Sequence, residues 1–320
     1  MKAIVYTKYG SPELLELKEV AKPTPRDDEV LIKVQAASVN RSDWEGLRGK
    51  PLYARIGGLL RPRHHILGSD IAGRVEMAGR NVRRIQPGDE VFGDILPRMG
   101  GFAEYVCARE SALARKPASM TFEEVAAIPQ AAVIALQGIH DKGQVQPGQK
   151  VLVNGAGGGT GTFAVQLAKI YGAEVTGVDN TGKLDFMRSL GADDVIDYTQ
   201  EDFTKNGKQY DLILDIVAHR SVFAYKRALR ANGSYFLTGG SVATILQILL
   251  LGPWISMIES KKMHVLAVRP NLKDMVYITE LHEAGKVVPV IDRRYPLSEV
   301  PEALQYLGEG RVKGKVIISV

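Results

Sequence analysis

The pattern of apolar and polar positions changes character about a third of the way along the chain. Up to about residue 115, apolar residues alternate with polar ones in short runs bounded by Gly, Pro and Asp, which predicts half-buried β-strands. The clearest runs are Glu29–Val34, Asp70–Met77 and Ala103–Val106. A helical pattern then begins, because Thr121 and Glu124 have the spacing of a capping box before the alanine-rich stretch Val125–His140. We therefore place a domain boundary after residue 121.

Short apolar runs and helical patterns alternate in the second part of the chain. Predicted strands are Lys150–Asn154, Glu174–Asp179, Asp194–Asp197, Tyr210–Asp215, Ser234–Thr238, His264–Val268, Val287–Ile291 and Lys315–Val320. Predicted helices are Gly161–Tyr171, Lys183–Leu190, Ser221–Leu229 and Leu272–Ala284. Strands that alternate with helices predict an α/β protein with a doubly wound parallel sheet.

The stretch Ile245–Ile258 is the most apolar of the chain. It contains Gln247, Gly252 and Pro253 and is shorter than the ~20 residues that a bilayer crossing requires. We therefore predict no transmembrane segment here, but a buried helix that breaks at Gly252–Pro253. An apolar lid, a partner surface or a segment resting on a membrane is the alternative.

Composition narrows the class of protein. With 320 residues, 45% hydrophobic and 24% charged, the chain has the size of a two-domain globular protein and is not collagen-like, coiled-coil or wholly disordered. Its one cysteine, Cys107, can form neither an internal disulfide nor a cysteine-rich metal cage, and no signal-peptide run follows the N-terminus. We expect a cytoplasmic protein. The net charge of +5 suits an anionic ligand such as a dinucleotide.

A glycine-rich segment carries the strongest chemical signal. It lies between a predicted strand and a predicted helix and contains Ala156, Gly158, Gly159, Thr160 and Gly161, the dinucleotide fingerprint with its first glycine replaced. Backbone N–H groups of such a loop can approach a pyrophosphate at the helix N-terminus. Substituting Gly158 or Gly161 is expected to weaken cofactor binding more than folding. The alternative is a simple turn.

The end of the second predicted strand bears on the choice of cofactor. Asp179 lies 18 residues past Gly161, near the offset of about 20 residues at which an acidic group hydrogen-bonds the ribose 2′-hydroxyl. This position favours NADH. Asn180 and Lys183 lie in the same turn, and Lys183 could hold the 2′-phosphate of NADPH if Asp179 were turned away. Asp179 could also be no more than a helix cap.

Motifs in both halves resemble one known superfamily. They are Ser38–Asp43, Leu67–Gly73, Pro87–Gly93, Gly100–Tyr105, Val153–Gly161, Ser189–Ala192 and Arg311–Val316. With them the chain resembles the medium-chain dehydrogenase/reductase superfamily, specifically its zinc-free quinone oxidoreductase-like branch. The resemblance implies a GroES-like β-barrel catalytic domain at 1–121 and 289–320 and a Rossmann dinucleotide-binding domain at 122–288.

The resemblance also implies that zinc is absent. In zinc-dependent relatives the ligands are a cysteine where Asn40 stands, a histidine and a glutamate where Ser69 and Asp70 stand, and a cysteine near residues 131–132. Asn40 and Ser69 offer no soft ligand to a zinc ion. Without that Lewis acid we expect reduction of an activated acceptor by NAD(P)H, not oxidation of an alcohol.

Two polar residues are candidates for the catalytic site. Asn40 and Tyr53 could donate hydrogen bonds to the oxyanion that develops on the acceptor. The alternatives are that Asn40 caps a local turn and that Tyr53 lines a loop. Many relatives hold the cofactor with a threonine where this chain has Ile134, so Val133 is expected to position the nicotinamide by packing. Further cofactor contacts are expected from strand-end loops that contain Val217, Gly239 and Gly240.

The sequence thus predicts a zinc-independent NAD(P)H-dependent oxidoreductase that reduces quinones or α,β-unsaturated carbonyl compounds and forms a homo-oligomer. An enoyl-thioester reductase is the alternative within the same class. A dinucleotide-binding protein that works on nucleic acid or a protein partner is the rival from another class. Nucleic acid is not expected, because the arginines are scattered.

Overall fold

The computed structural model describes residues 1–55 and 58–320, which divide into two compact units. The first unit comprises residues 1–130, 270–284 and 289–320, and the second comprises 131–269 and 285–288. The strands are β1 (Lys2–Val5), β2 (Glu16–Glu19), β3 (Glu29–Val39), β4 (Asp70–Ala78), β5 (Glu90–Asp94), β6 (Tyr105–Arg109), β7 (Leu113–Arg115), β8 (Lys150–Asn154), β9 (Glu174–Asp179), β10 (Asp194–Asp197), β11 (Tyr210–Asp215), β12 (Leu229–Leu237), β13 (Lys262–Val265), β14 (Ile291–Pro296) and β15 (Lys315–Ser319). The helices are α1 (Arg41–Arg48), α2 (Phe122–Ala126), α3 (Pro129–Leu136), α4 (Gly159–Ile170), α5 (Leu184–Ser189), α6 (Val222–Ala228), α7 (Val242–Glu259), α8 (Leu272–Glu283) and α9 (Val300–Gly308).

The first unit is built on a largely antiparallel sheet. Its strand order is β14-β15-β3-β4-β5-β7, and β6 also pairs with β3. The long strand β3 lies in the middle and is buried along most of its length, since it pairs with β4, β6 and β15. A separate two-stranded sheet joins β1 and β2. The C-terminal strand β15 therefore belongs to the same sheet as the N-terminal strands.

The observed domain boundaries differ from those that the sequence suggested. Residues 122–130 and 270–284 belong to the first unit, whereas the sequence assigned them to the second domain. The reason is packing, because α2 lies on β3 and β4 and α8 lies against β7. Thr121 does begin α2 with a capping box: its hydroxyl accepts the N–H of Glu124, whose carboxylate accepts the N–H of Thr121.

The second unit is a six-stranded parallel sheet in the order β10-β9-β8-β11-β12-β13. The strand order reverses direction at β8, and the adjacent carboxyl ends of β8 and β11 flank this point. The sheet confirms the predicted doubly wound arrangement, and such sheets bind ligands beyond the carboxyl ends of their strands at the switch point.

Three predicted strands are misplaced, and one of them is His264–Val268, since β13 runs from Lys262 to Val265. Ala103 makes only an isolated bridge to Ala3, and β6 begins at Tyr105. The run Val287–Ile291 is not a strand, because β14 begins at Ile291. Since β14 pairs only with β15 and is largely exposed or half-buried, it carries no apolar pattern that sequence reasoning could detect.

The apolar stretch near residue 250 differs from its prediction in two ways. Helix α7 runs without a break through Pro253, and it spans 18 residues. Gly252 brings the helix close to β13, because a Cβ there would lie 2.5 Å from the Met263 carbonyl oxygen. Only 22% of the helix residues are buried, so it is not a core helix. By length and composition alone, it is also the one helix of the described residues that could cross a membrane.

Candidate active site

The glycine-rich loop joins β8 to α4 in the second unit. The N–H groups of Gly155 and Ala156 donate to the Val178 carbonyl of β9 at 2.9 and 3.1 Å, which anchors the loop to the neighbouring strand. Gly158 is the N-cap residue of α4, so Gly159 and Thr160 form its first turn. The first turn of a helix leaves N–H groups without partners inside the helix, and these suit the pyrophosphate of a dinucleotide.

The two fingerprint glycines have different roles. A Cβ on Gly161 would lie 2.2 Å from the Gly155 carbonyl oxygen, so Gly161 is required for α4 to pack on the loop. A Cβ on Gly158 would meet only that same oxygen at 3.5 Å, and its backbone is extended (φ −90°, ψ 179°). No steric feature of the described residues requires glycine at position 158. We infer that the residue is glycine because a side chain there would take up space needed by a ligand.

Asp179 and Lys183 form a buried ion pair beside this loop. The ammonium of Lys183 lies 3.3 Å from Asp179 Oδ1, and Asp179 Oδ2 accepts the N–H of Gly157 at 3.0 Å. Asn180 donates its backbone N–H to Asp179 Oδ1 at 2.9 Å. The three residues predicted to read the ribose are thus brought together, but the carboxylate and the ammonium bind each other.

The loops after β11 and β12 meet at the same end of the sheet. The N–H of Ala218 donates to the Gly239 carbonyl at 2.9 Å, and Ala218 forms a bridge with Gly240. Val217 is exposed there and could contact a ligand. Val133, by contrast, lies in α3 and is buried. It can contact the nicotinamide directly only if neighbouring residues move.

A buried carboxylate stabilises this end of the sheet. Asp215 is the last residue of β11 and accepts hydrogen bonds from Asn154 Nδ2 at 2.8 Å and from the Tyr235 hydroxyl at 2.9 Å. Burial raises its pKa. Because Asn154 ends β8 just before the glycine-rich loop, Asp215 links the loop-bearing strand to its neighbours.

A second polar cluster lies in the first unit, at the meeting of four adjacent strand ends. Strand pairing places Asp70 opposite both Ser38 of β3 and Asp94 of β5. Asn40 follows β3 directly, and Lys315 begins β15. Strand register therefore brings together Asn40 and Lys315, which are 275 positions apart in the sequence.

Hydrogen bonds hold Asn40 tightly within this cluster. Its Oδ1 accepts from the Lys315 ammonium, and its Nδ2 donates to Ser69 Oγ at 3.2 Å. Its backbone N–H donates to Asp43 Oδ2 at 2.8 Å. Asn40 is the N-cap residue of α1, so the expected local cap and the expected polar site coincide.

The acidic groups of the cluster are strongly affected by burial. Desolvation raises the pKa of Asp43 to about 7 and that of Asp94 to about 7, with the nearby Asp70 carboxylate adding to both shifts. Burial also lowers the pKa of Lys315, while the adjacent Asp70 opposes that change. One ammonium therefore lies among three buried carboxyl groups.

The cluster does not suit zinc. Asn40 and Ser69 are bonded to each other, and Asn40 Oδ1 faces the ammonium of Lys315. The ammonium of Lys315 already places a positive charge in the cluster, and none of these groups is a thiolate or an imidazole. The cluster would therefore be a poor zinc site. Within residues 1–55 and 58–320, no group of three or more His, Cys, Asp or Glu residues is arranged to hold a metal ion.

Tyr53 is not part of this hydrogen-bond network. Its hydroxyl donates to Glu45 Oε2 at 3.2 Å, and its side chain is 39% exposed. Partial burial and the Glu45 carboxylate raise the pKa of Tyr53 to about 12, so it stays a protonated donor. Its link to α1, the helix that Asn40 begins, is the only support for its predicted role.

Sequence reasoning did not identify Lys315, Asp94 or Asp215 as site residues. A charged residue within or at the end of an otherwise apolar strand pattern was the available signal, and all three have that context. Burial of a charge is costly unless it is paired, so such positions favour a polar site.

Comparisons with known proteins agree with this geometry. Residues 26–118 match the family model described as "Alcohol dehydrogenase GroES-like domain", and residues 190–318 match one described as "Zinc-binding dehydrogenase". The chain is 36% identical to the 2-methylene-furan-3-one reductase of Solanum lycopersicum over 99% of this chain and 79% of that protein. It is 32% identical to the chloroplastic NADPH-dependent alkenal/one oxidoreductase of Arabidopsis thaliana, with the same two shares. The structure of the quinone oxidoreductase from Coxiella burnetii matches it with a TM-score of 0.90 and 29% identity, covering 100% of this chain and 99% of that one.

These features define a GroES-like unit combined with a Rossmann-type nucleotide-binding unit. The chain belongs to the medium-chain dehydrogenase/reductase superfamily, in its quinone oxidoreductase-like branch.

Proposed function

We propose that this protein reduces quinones or α,β-unsaturated carbonyl compounds by hydride transfer from NAD(P)H, without zinc. The observation that carries the proposal is the pair of sites: a dinucleotide loop in one unit and, in the other, a buried Asn40 that stands where zinc-dependent relatives have a metal ligand and accepts from the ammonium of Lys315. The names of the relatives support the same substrates, since they include a furanone reductase, an alkenal/one oxidoreductase and a quinone oxidoreductase.

The second unit binds the cofactor in this proposal. The amides at the start of α4, from Gly159 to Gly161, hold the pyrophosphate, and the space beside Gly158 admits it. Asp179 and Lys183 contact the ribose that carries the 2′-phosphate in NADPH and a 2′-hydroxyl in NADH. Val217, Gly239 and Gly240 border the nicotinamide end of the cofactor. When bound, the reduced nicotinamide supplies the hydride.

The first unit stabilises the charge that forms on the acceptor. As an enone or quinone gains hydride at carbon, negative charge develops on its oxygen. Asn40 donates to that oxygen through Nδ2, in a site from which water is largely excluded because the cluster is buried. Tyr53 becomes a second donor in this proposal by turning its hydroxyl from Glu45 to the acceptor oxygen.

The activity is tested by following the near-ultraviolet absorbance of NADH or NADPH with a panel of quinones, enones, alkenals and enoyl thioesters. Consumption that requires a quinone or an enone supports the proposal. A preference for enoyl thioesters would replace it with the alternative reductase, and no consumption with any acceptor would refute it.

Zinc independence is tested in the same assay. The protein should contain no stoichiometric zinc by elemental analysis, and its rate should be unchanged after treatment with a strong chelator, because Asn40 and Ser69 offer no soft ligand. A rate that is lost to the chelator and restored by zinc would overturn this part of the proposal.

The rival role in nucleic-acid binding is weakened by ion pairs in two of the arginine groups, at residues 80–84 and 293–294. Arg80, Arg84 and Arg294 each form an ion pair with an acidic residue. Paired surface arginines are poor candidates for a continuous basic face. A small-molecule acceptor is therefore the proposed partner.

We also propose a homo-oligomer in a reducing compartment such as the cytoplasm. Exposed apolar side chains on α7 support self-association, and they are Val242, Leu246, Leu249, Leu250, Trp254, Met257 and Ile258. The lone Cys107 supports a reducing compartment. Sedimentation velocity over a range of protein concentrations measures the assembly, and a monomer throughout would overturn the first part.

A further inference from the structure

The loop at residues 216–221 joins β11 to α6 at the carboxyl end of the parallel sheet. Each backbone N–H from residue 216 to residue 220 donates to an acceptor within the second unit. The acceptors, in order, are the Asn154 carbonyl, Asp215 Oδ1, the Gly239 carbonyl and, for the last two N–H groups, the Tyr225 hydroxyl. Loops at a protein surface can leave such groups to water, so this pairing indicates a loop with a fixed backbone.

Tyr225 holds the second half of this loop. It lies in α6 and is fully buried, and its hydroxyl oxygen accepts the N–H groups of His219 and Arg220, both at 3.1 Å. A phenol hydroxyl can accept and can also donate its one proton. Since two amides donate to the oxygen, the proton is left for the Asp215 carboxylate, with which Tyr225 forms a hydrogen bond.

Asp215 connects this arrangement to the glycine-rich loop. Its Oδ1 accepts from the Val217 N–H at 3.2 Å and from Asn154 Nδ2 at 2.8 Å. Asn154 is the last residue of β8, the strand that leads into the glycine-rich loop. Tyr225 and Asp215 together therefore fix the N–H groups at 217, 219 and 220 and join them to that strand.

The hydroxyl of Tyr225 does more than packing requires. The Tyr225 ring packs on that of Tyr235 with the centroids 4.6 Å apart, and a phenylalanine ring would make the same contact. Burying a hydroxyl costs free energy unless it is hydrogen-bonded, and the oxygen of this one is bonded to the loop amides. That loop exposes Val217 at the end of the sheet where open α/β folds bind their ligands.

We propose that Tyr225 is a positioning residue for the nicotinamide end of the cofactor: its hydroxyl fixes the loop at 216–221, so that Val217 is held where the nicotinamide binds. This inference rests on the proposed function, in which Val217 borders the nicotinamide. A loop that is ordered beforehand loses less conformational freedom when the cofactor binds, which raises the affinity. Tyr225 itself is buried and does not touch the cofactor in this scheme.

The test compares the affinity for the reduced cofactor with that for ADP-ribose or its 2′-phosphate, which lack the nicotinamide, by calorimetric titration. Tyr225→Phe keeps the ring and removes the hydroxyl. It should weaken binding of NADH or NADPH at least about fivefold and leave binding of the matching ADP-ribose unchanged, because only the nicotinamide end loses its ordered loop. The KM for the reduced cofactor should rise by the same factor.

Tyr210→Phe is the matched control. It makes the same substitution at a buried tyrosine in the same sheet, but at the opposite end of β11 from Asp215. Both affinities should keep their wild-type values in this variant. A loss of cofactor affinity in Tyr210→Phe as large as that in Tyr225→Phe would overturn the inference, because any lost buried hydroxyl would then suffice.

The outcomes separate this inference from the proposed function. A wild-type protein that binds neither NADH nor NADPH overturns both. A wild type that binds the cofactor but reduces no acceptor overturns the proposed reaction, and the binding comparison still decides the inference. With a cofactor-binding wild type, the inference alone is overturned if Tyr225→Phe keeps full affinity for the reduced cofactor, or if it loses affinity for ADP-ribose to the same extent.

Amide hydrogen exchange of the wild type decides the matter should Tyr225→Phe fail to fold by circular dichroism. The N–H groups of His219 and Arg220 should exchange at least about tenfold more slowly than those of an unstructured chain, because both are bonded to Tyr225. Exchange of these two groups at the unstructured rate would show that the loop is not held and would overturn the inference.

Discussion

At the scale of single residues, the buried pair of Asp179 and Lys183 is the feature most relevant to the cofactor. Each side chain is the ion-pair partner of the other. Neither can therefore contact a ribose without weakening that ion pair. The Gly157 N–H, which donates to Asp179, connects this pair to the phosphate-binding loop. Cofactor preference therefore depends on the balance within the pair, not on either residue alone.

Asp179→Asn should shift the preference toward NADPH. The amide oxygen can still accept from the Gly157 N–H, but the ammonium of Lys183 loses its counter-charge and becomes available to a 2′-phosphate. We expect the NADPH:NADH ratio of kcat/KM to rise at least about tenfold, or ~1.4 kcal/mol. Lys183→Met should lower the ratio instead. An unchanged ratio in both variants would show that this pair does not contact the ribose.

The glycines of the loop allow a matched comparison in which the same methyl group is added at two positions. Gly158→Ala should reduce cofactor affinity at least about tenfold with little change in stability, since the new Cβ clears the protein. Gly161→Ala should lower the unfolding free energy by about 1–3 kcal/mol or more, since its Cβ collides with the Gly155 carbonyl. Calorimetric titration and denaturant unfolding measure the two effects, and equal effects at both sites would contradict this division.

At the scale of elements, the strands that position the sites have ends that coincide. The glycine-rich loop, Asp179 and Asp215 all follow or end neighbouring parallel strands, and the acidic cluster of the first unit forms where β15, β3, β4 and β5 adjoin. A one-residue slip in register would turn these side chains to the opposite face of the sheet. Element register is therefore as important to the sites as residue identity.

Helix α7 continues through Pro253, where the sequence predicted a break, and the effect of this proline on stability can be measured. Pro253 removes one hydrogen bond from the helix interior, at an exposed position where water can satisfy the carbonyl group that is left free. Pro253→Ala should restore that bond and raise the unfolding free energy by about 1–3 kcal/mol. Leu250→Ala, at an exposed site on the same helix, should change stability much less. No gain for Pro253→Ala would show that the helix breaks there, as the sequence suggested.

At the scale of the whole molecule, the sequence predicts the second unit better than the first. Strands β8 to β11 have the predicted bounds, and β8 and β11 are central parallel strands whose buried residues form short apolar runs. The fingerprint located the loop, but it could not separate the structural Gly161 from the open Gly158. That difference depends on how close each comes, in the folded turn, to the carbonyl group of Gly155. Lys315 escaped notice because its partner Asn40 is 275 residues distant.

The buried acids should make the stability of the whole protein depend on pH. The pKa of Asp94 is about 7 in the folded protein, against 3.8 when unperturbed, because burial favours its neutral form and the facing Asp70 and Asp43 carboxyl groups add repulsion. The folded state thus keeps a proton that the unfolded chain has lost between about pH 4 and pH 7, so this contribution to stability is complete near pH 4 and is lost as the pH rises to about 7.

Asp94→Asn should remove that contribution and flatten the decline, by up to about 1.4 kcal/mol per pH unit within this window. The amide oxygen can still accept the N–H of Leu96, which donates to Asp94 at 2.9 Å, so the local turn is retained. Denaturant unfolding across the range measures the slope for both proteins, and their behaviour near pH 4, where Asp94 is neutral, serves as the internal control. A variant whose stability falls as steeply as that of the wild type would show that Asp94 is already ionised in the folded protein, and that Lys315 offsets more of the acidic charge than its distance from Asp70 implies.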